Sequence, residues 1–264
     1  MNTIEYLGQQ IHFTDFGNGK TITMLHGFME SIEIWGDFAT TLSNNHRVIC
    51  IDLPGHGKSG SWDEIHTMDF MAEVVHVVLS HLGITKTCMI GHSLGGYVTL
   101  SFAQHFPDFL SGYSLFHSTP FPDTEERKIN RERQIEFVKQ GKKDLVYNVL
   151  IPNTYAEYNL TKFAKEIEFG KDIAKRMTDQ GIFAALGGMK IRPDRSFVIE
   201  ELPIPFLFIL GLGDKIISSD ILQKLPMNEE YSSTLILENS GHMGFIEEHE
   251  KSLSAIDKFV SSLE

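Results

Sequence analysis

The chain has 264 residues, 42% of them hydrophobic and 22% charged, and its formal net charge at pH 7 is −12. Such a composition is typical of a globular protein with a sizeable core. A strongly negative surface repels phosphate backbones and anionic lipids, so we expect neither nucleic acid nor a membrane surface as a partner.

The first residues lack a basic segment followed by an apolar stretch, so we expect no secretory signal. No apolar run is long enough to span a bilayer. Cys50 and Cys88 lie in separate apolar runs, which indicates buried reduced thiols rather than a disulfide framework or a metal site. Together these features predict a cytoplasmic protein.

Short apolar runs bounded by turn residues recur along the chain and predict strands. They are continuous rather than alternating, as in strands that are buried on both faces of a sheet. The segment 4–20 precedes them and predicts a hairpin-like antiparallel edge. The runs are TITMLHG (21–27), RVICIDLPG (47–55), KTCMIGHS (86–93), SGYSLFHS (111–118), IPFLFILG (204–211) and STLILENSG (233–241).

Helical patterns lie between several of these runs. Apolar residues at helical spacing extend from Phe70 to Leu82 and from Leu253 to Leu263. A further helix is predicted after Ser93, and it should end near Phe106 because Pro107 cannot continue it. Alternating strands and helices predict a parallel sheet with helices on both faces.

The alternation stops between residues 120 and 200, where the patterns are helical and no buried-type strand occurs. We predict a helical cap, 120–200, inserted in a core formed by residues 1–119 and 201–264. The charged run from Glu125 to Arg133 predicts a solvated helix face.

The stretch GHSLGG (91–96) places Ser93 between glycines, after an apolar strand and before a helix. This is the context in which a sharp strand-to-helix turn presents a nucleophilic serine. Gly91 and Gly95 leave room for the turn. We therefore predict that Ser93 is a nucleophile.

A serine hydroxyl needs a base to accept its proton and an acid to orient that base. His242 follows the last predicted strand, and Asp214 follows the strand before it, in the chain order Ser, Asp, His. We predict that these two residues complete a catalytic triad. Asp123 is the rival acid, because it follows the strand that ends at Ser118.

Acyl transfer also needs N–H donors for a developing oxyanion. The backbone N–H groups of Phe28 and Leu94 are the predicted donors, and His26 is expected to brace the first loop by hydrogen bonds. His117 is expected either to face the substrate or to brace the cap. The predicted substrate-binding side chains are those of Met29, His117, Phe121 and Met243, beside that of Phe28.

Five motifs follow one another along the chain: LHGF (25–28), DLPGHGKS (52–59), GHSLGG (91–96), GLGD (211–214) and SGH (240–242). In this order they resemble those of α/β-hydrolase-fold serine hydrolases, in the group of capped carboxylesterases and enol-lactonases. The resemblance implies an α/β-hydrolase fold, with a mostly parallel eight-stranded sheet, helices on both faces and a helical cap. It also implies that Asp52, His56 and Ser59 tie down a tight loop.

The resemblance further implies that the strands of Cys50 and Cys88 flank the strand 21–27. Two strand spacings are about 9.6 Å, beyond the disulfide reach of roughly 7 Å.

The predicted function is hydrolysis of a small or medium carboxylic ester with a largely apolar acyl group, through an acyl-enzyme. We expect no metal or organic cofactor, and the sequence leaves monomer and homodimer open. The same triad also serves lactones, thioesters and carbon–carbon bonds, so a lactonase, a thioesterase or a C–C bond hydrolase or lyase is the alternative. A ligand receptor that keeps the hydrolase fold is an alternative of another class.

Overall fold

The computed structural model describes residues 2–228 and 230–263, which contain eight strands in one sheet. The strands are β1 (Asn2–Tyr6), β2 (Gln9–Phe16), β3 (Thr21–Leu25), β4 (Arg47–Ile51), β5 (Thr87–His92), β6 (Leu110–Phe116), β7 (Phe206–Gly211) and β8 (Ser232–Leu237). Each predicted apolar run overlaps one of these strands, and β6 and β8 begin one residue before their runs.

The strands lie in the order β1-β2-β4-β3-β5-β6-β7-β8. β2 is antiparallel to both β1 and β4, and every other pairing is parallel. The predicted fold class and its antiparallel edge are confirmed. The expectation of burial on both faces is wrong for β8, where Ser233 and Thr234 are exposed because this strand forms the other edge of the sheet.

Two layers of helices cover the sheet. α2 (Met68–His81) packs against α3 (Leu94–His105), and α1 (Gly36–Leu42) packs against α10 (His249–Ser262). α2 begins and ends within two residues of the pattern from Phe70 to Leu82, and α10 begins and ends within four residues of the pattern from Leu253 to Leu263. The helices outside the region between β6 and β7 are α1 (Gly36–Leu42), α2 (Met68–His81), α3 (Leu94–His105), α9 (Gly244–Glu247) and α10 (His249–Ser262).

The chain between β6 and β7 forms five helices, of which α8 is too short to leave a clear sequence pattern. α4 packs against α5 and α7, and α5 packs against α6. These helices are α4 (Glu125–Lys139), α5 (Lys143–Asn153), α6 (Ala164–Arg176), α7 (Asp179–Ile191) and α8 (Ser196–Glu201). The region is helical, as expected, and its standing as a separate cap domain stays a prediction.

The position of β3 between β4 and β5 separates the two cysteines. Ile22 and Met24 of β3 pair with Cys88 and Cys50 respectively, and both thiols are free and buried. Burial raises the pKa of the Cys50 thiol to about 12. The prediction of buried, reduced cysteines is therefore confirmed.

The carboxyl ends of parallel strands meet at one edge of a sheet, which is where ligands bind in such folds. β3, β5, β6, β7 and β8 all end at this edge. Their following loops carry Phe28, Ser93, His117, Asp214 and His242. The topology thus gathers residues from five distant stretches of the chain.

Candidate active site

The turn between β5 and α3 holds Ser93 in a conformation that few non-glycine residues adopt, with φ of 50° and ψ of −112°. A Cβ atom on Gly91 would lie 2.4 Å from the carbonyl oxygen of Gly95, and one on Gly95 would lie 2.2 Å from that of Leu25. The glycines are therefore required for this turn. Ser93 is half-buried and faces a cavity.

Positive φ recurs around this turn. The non-glycine residues with positive φ are Leu7, Met29, Ser93 and His117, and all but Leu7 follow the strands β3, β5 and β6 at the same sheet edge. Such backbone conformations cost free energy of order 1–3 kcal/mol each and persist only where surrounding contacts impose them. They make this edge the candidate functional end of the molecule.

Asp214 and His242 contact each other directly, with 2.8 Å between Oδ2 of Asp214 and Nδ1 of His242. The other carboxylate oxygen accepts the backbone N–H groups of Ile216 and Ile217. Burial alone would raise the pKa of Asp214, but the histidines and these hydrogen bonds hold it well below its usual range. Asp214 is therefore an ionised, fixed acceptor for the imidazole.

His117 is a second imidazole on the same carboxylate, and its Nδ1 lies 3.2 Å from Oδ2 of Asp214. Its Nε2 accepts the backbone N–H of Gly244, and the backbone N–H of Gly211 approaches Nδ1 at 3.2 Å. A proton on Nδ1 satisfies the contacts with both Gly244 and Asp214, so we place the ring proton there, facing the carboxylate. Burial lowers the pKa of His117 to about 4, so the ring is neutral at pH 7. Neither expected role fits these contacts, since His117 orients the acid.

His92, directly before the turn, is fully buried and joins two loops of the site. Its Nδ1 lies 3.0 Å from Oε2 of Glu30, and its Nε2 lies 2.9 Å from the carbonyl oxygen of His242. Both partners only accept, so both ring nitrogens must donate and His92 must be an imidazolium. Burial would lower the pKa of His92, yet the charge of Glu30 raises it above its ordinary value.

Glu30 also fixes the loop after β3, because its Oε2 accepts the backbone N–H of Gly27 at 2.6 Å. Its own pKa is lowered by His92, against the effect of burial. Sequence reasoning missed this ion pair. A lone glutamate in a loop gives no local signal for a partner that lies 62 residues further along the chain.

The backbone N–H groups of Phe28 and Leu94 have no protein acceptor among the hydrogen bonds of residues 2–228 and 230–263. Leu94 is the first residue of α3, so its N–H cannot bond within the helix. His26 supports the neighbouring loop, since its Nε2 accepts the N–H of Leu53 and its Nδ1 lies 2.8 Å from the carbonyl oxygen of Gly27. Two free donors therefore lie beside Ser93.

The loop after β4 is tied down around Asp52. Its carboxylate accepts the backbone N–H groups of Ile32 and Lys58 and lies 2.6 Å from Nδ1 of His12. Ser59 donates to the carbonyl oxygen of Asp52. These contacts match the structural role that the resemblance implies for this loop.

A cavity of about 300 Å³ opens over Ser93 and His242. We call one side of it the core wall, formed by Phe28, Glu30, Ser93, Tyr97, Lys215, Ile216 and His242. We call the other side the inserted wall, formed by Arg127, Asn130, Arg131, Gln134, Leu150, Thr154 and Met189. The cavity is therefore bounded by both the sheet edge and the helices between β6 and β7.

The predicted substrate-binding residues are placed differently. Phe121 lines a neighbouring cavity of about 380 Å³ that shares Arg127 with the first. Met29, His117 and Met243 are buried outside the described cavity wall. Their side chains point into the core behind the loops, so they shape these loops rather than meet a ligand.

The charged helix α4 also differs from its prediction. Four residues spaced at i, i+3, i+4 and i+7 bring one of its faces onto the cavity, so that face is not simply solvated. They are Arg127, Asn130, Arg131 and Gln134. The pattern of charges along α4 could not reveal this, because it depends on where the helix packs.

The rival acid Asp123 belongs to another cluster. Its carboxylate is bonded by Arg131, and Nη1 of Arg192 lies 2.8 Å away from it. His242 makes its carboxylate contact with Asp214 instead.

His117, Asp214 and His242 offer one nitrogen or oxygen atom each, all within 4.8 Å of one another, which is close enough to surround a metal ion. Nδ1 of His242 and Nδ1 of His117 both lie at hydrogen-bonding distance from the carboxylate of Asp214. The donor set therefore fits a hydrogen-bonded relay of two histidines on one acid.

The residues described so far lie together at the carboxyl edge of a parallel sheet covered by helices. A sequence model of the α/β hydrolase fold matches residues 20–249, and the chain belongs to that family. The protein is thus an enzyme with the α/β-hydrolase fold, and its class is that of the hydrolases.

Two known enzymes are similar in sequence to this chain over most of its length. It is 24% identical to the monoacylglycerol lipase abhd6-B of Xenopus laevis, over 98% of this chain and 84% of the lipase. It is 26% identical to a 2-hydroxy-6-oxononadienedioate/2-hydroxy-6-oxononatrienedioate hydrolase of Klebsiella pneumoniae, over 88% of this chain and 84% of that enzyme.

A solved structure has the same fold over nearly the whole chain. A thermophilic esterase from Thermogutta terrifontis, determined with malate bound, superposes with a TM-score of 0.91 at 28% identity, covering 98% of this chain and 96% of that one. Within the described residues, no helix has the length and apolar character needed to cross a membrane.

Proposed function

We propose that the protein hydrolyses a carboxylic ester through Ser93, His242 and Asp214, by way of an acyl-enzyme. The observation that carries the proposal is the short contact between His242 and Asp214 on the wall of the cavity that Ser93 faces. Ser93 and His242 share this wall without a direct hydrogen bond among the described contacts. Catalytic hydrogen bonds of this kind often tighten only when substrate is present.

In the proposed reaction His242 accepts the proton of Ser93 as the serine oxygen attacks the ester carbonyl carbon. Asp214 holds Nδ1 of His242 protonated, so that Nε2 is free to act as the base. His242 then protonates the departing alcohol. Water, activated in the same way, releases the acid and restores Ser93.

The N–H groups of Phe28 and Leu94 are proposed to donate to the carbonyl oxygen as it becomes negative. Each such donor is typically worth about 3 kcal/mol in the transition state. The buried pair of Glu30 and His92 supports this role, because Glu30 bonds the N–H of Gly27, next to Phe28, and His92 bonds the carbonyl of His242. The loops of the oxyanion donors and of the base are thereby held together.

The size of the cavity favours a small or medium substrate, since about 300 Å³ is at the lower end for ligand sites. An apolar groove of about 430 Å³ adjoins it through Gln134, Leu150, Lys215 and Ile216. This groove offers space for an apolar chain longer than the cavity itself holds.

Lactones, thioesters and carbon–carbon bonds are the second choice, because the same three groups can act on them. The 26% identity to a hydrolase acting on oxononadienedioate-type compounds keeps the last of these reactions open. A cytoplasmic location remains part of the proposal.

The proposal is tested with a fluorophosphonate probe and a panel of alkyl esters of different chain lengths. We expect labelling and hydrolysis by the wild type, and loss of both in Ser93→Ala. Ser80→Ala, on an exposed position of α2, serves as the control and should behave as wild type. An unlabelled, inactive wild-type protein that changes shape on binding a ligand would instead indicate a receptor.

A further inference from the structure

The inserted wall of the cavity carries more positive charge than its neighbouring acids balance. Arg127 and Arg131 lie one helical turn apart on the face of α4 that lines the cavity with Ser93. The chain as a whole has a net charge of −12. A cationic surface facing the proposed nucleophile is therefore opposite in sign to the protein around it.

Asp123 is the acid that Arg131 bonds, and two guanidinium groups share it. Arg131 bonds both of its oxygens, and Arg192 approaches one of them at 2.8 Å while lying over the ring of Tyr97. Burial would raise the pKa of Asp123, but Arg131 and Arg192 lower it, so the carboxylate is ionised. One positive charge of this group stays unbalanced.

Arg127 adds a second unbalanced positive charge to the inserted wall. It is half-buried, and its Nη2 donates to the backbone carbonyl of Ile216. Among the ion pairs formed by residues 2–228 and 230–263, none involves Arg127. A guanidinium has five N–H donors, so most of those on Arg127 remain available to a ligand.

The other charges on the cavity are paired. Glu30 is matched by the imidazolium of His92, and Lys215 by Glu157 at 3.1 Å. The excess charge is therefore confined to the arginines at α4, beside the amide side chains of Asn130 and Gln134.

We propose that the substrate carries a carboxylate, which Arg127 binds with help from Arg131, while its ester carbonyl lies at Ser93. A guanidinium presents paired N–H groups that match both oxygens of a carboxylate. A bound carboxylate also balances charge that the protein leaves unpaired. This inference rests on the proposed function, since it assigns one end of the substrate to Ser93.

The test compares monomethyl glutarate with methyl pentanoate, which differ chiefly in one terminal carboxylate, by titrating the acid released. We expect wild-type kcat/KM to be about 10-fold or more higher for the anionic ester. Arg127→Gln should lower kcat/KM for monomethyl glutarate by about 10- to 100-fold and that for methyl pentanoate by less than about threefold.

Lys128→Gln is the matched control. It removes a positive charge from the same helix, but Lys128 lies outside the wall of this cavity and pairs with Glu125. We expect it to leave the preference for the anionic ester unchanged. A second substrate pair, butanoyloxyacetate and propyl butanoate, places the carboxylate on the alcohol side, and the pair that shows the Arg127-dependent preference identifies the side.

Binding to Ser93→Ala, measured by calorimetry with monomethyl glutarate and butanoyloxyacetate, separates the two proposals. Hydrolysis that needs Ser93 but shows no anionic preference in either pair overturns the carboxylate site alone. Absence of hydrolysis together with Arg127-dependent binding of an anionic ester overturns the proposed function alone. Absence of both hydrolysis and binding overturns both.

Discussion

The core wall and the inserted wall of the cavity differ in how they hold charge. On the core wall, Glu30 is paired with His92, and His242 contacts Asp214, which lies behind the wall and receives hydrogen bonds from two histidines and two backbone N–H groups. On the inserted wall, Asp123 is shared by two arginines, and Arg127 bonds only a carbonyl oxygen in the described contacts. The charged side chains that line the core wall, Glu30 and Lys215, each have an oppositely charged partner, whereas the inserted wall has an excess of positive charge.

The difference indicates that the two walls have different roles, one in the reaction and the other in selecting the ligand. Groups that carry out a reaction must be held in fixed positions, and balanced, fully bonded charges achieve this. A surface that selects a ligand can leave donors open until the ligand arrives. The predictions below test each wall separately, from the largest expected effect to the smallest.

Glu30→Gln should produce the largest effect, because it removes the charge that balances the buried His92. Losing one partner of a buried ion pair typically costs about 3–5 kcal/mol. We expect a loss of about 3 kcal/mol in the free energy of unfolding, measured with urea, and a fall in kcat. Glu125→Gln, which breaks an exposed pair with Lys128 on the outer side of α4, should change stability by less than about 0.5 kcal/mol. Equal losses in the two variants would show that the buried pair on the core wall contributes no more to stability than an exposed pair.

Acid should destabilise the protein through the buried neutral histidines on the core side. Burial lowers the pKa of His56 to about 3 and that of His117 to about 4, whereas the unfolded chain binds these protons near pH 6.5. The unfolded state therefore binds more protons below pH 6.5, and stability falls as the pH falls. His92 has the opposite sign, since its raised pKa contributes stability below pH 6.5 that is lost as the pH rises through its folded-state value.

We expect each neutral histidine to contribute a loss of about 2 kcal/mol in the free energy of unfolding between pH 7 and pH 5. In His56→Gln the difference between the two pH values should shrink by about that amount, as measured by urea unfolding. The exposed His81→Gln is the control. An unchanged pH dependence in His56→Gln would show that this ring is not held neutral.

His117→Ala should lower kcat/KM by about 10-fold, because Asp214 loses the N–H donor that orients it. Without that donor the carboxylate is a stronger base toward His242, so the acid limb of the pH profile should move to higher pH. His117→Asn, which can still donate an N–H, should recover part of the rate. A lower rate with an unmoved pH profile would indicate a purely structural role.

Val149→Asp should have the smallest effect, confined to the apolar groove beside the inserted wall. Val149 is 62% exposed there, next to Phe137 and Leu145. We expect hydrolysis of an octanoate ester to fall about threefold relative to a butanoate ester, with no change in stability. Val149→Leu should keep the wild-type chain-length preference. If Val149→Asp changes hydrolysis of the octanoate and butanoate esters equally, the groove does not bind the acyl chain.

Much of the core could be predicted from contiguous residues. The turn at Ser93 needs glycines at set positions, and the acid and base loops follow strands whose apolar runs are unmistakable. The sheet order, with β3 between the two cysteine strands, followed from the resemblance of five motifs to one family. The catalytic roles of Ser93, Asp214 and His242 remain predictions until they are measured.

The partners of buried charges could not be predicted, because they come from separate elements of the fold. Glu30 meets His92 across 62 residues, and His92 reaches the carbonyl of His242 across 150. His117 ends a strand whose sequence says nothing about the carboxylate it touches. Met29 and Met243 adjoin motif loops, and His117 ends a core strand, yet all three are buried outside the cavity wall.

By itself, the sequence determined the local backbone: which runs form strands, where helices begin, and where a serine is held in a strained turn. These features depend on the conformational preferences of neighbouring residues, which act over a few positions. Only the tertiary structure decided which face of α4 covers Ser93 and which charges remain unpaired there. Those outcomes depend on how helices pack against the sheet edge, and the same charged helix would be a solvated surface if it packed one-half turn differently.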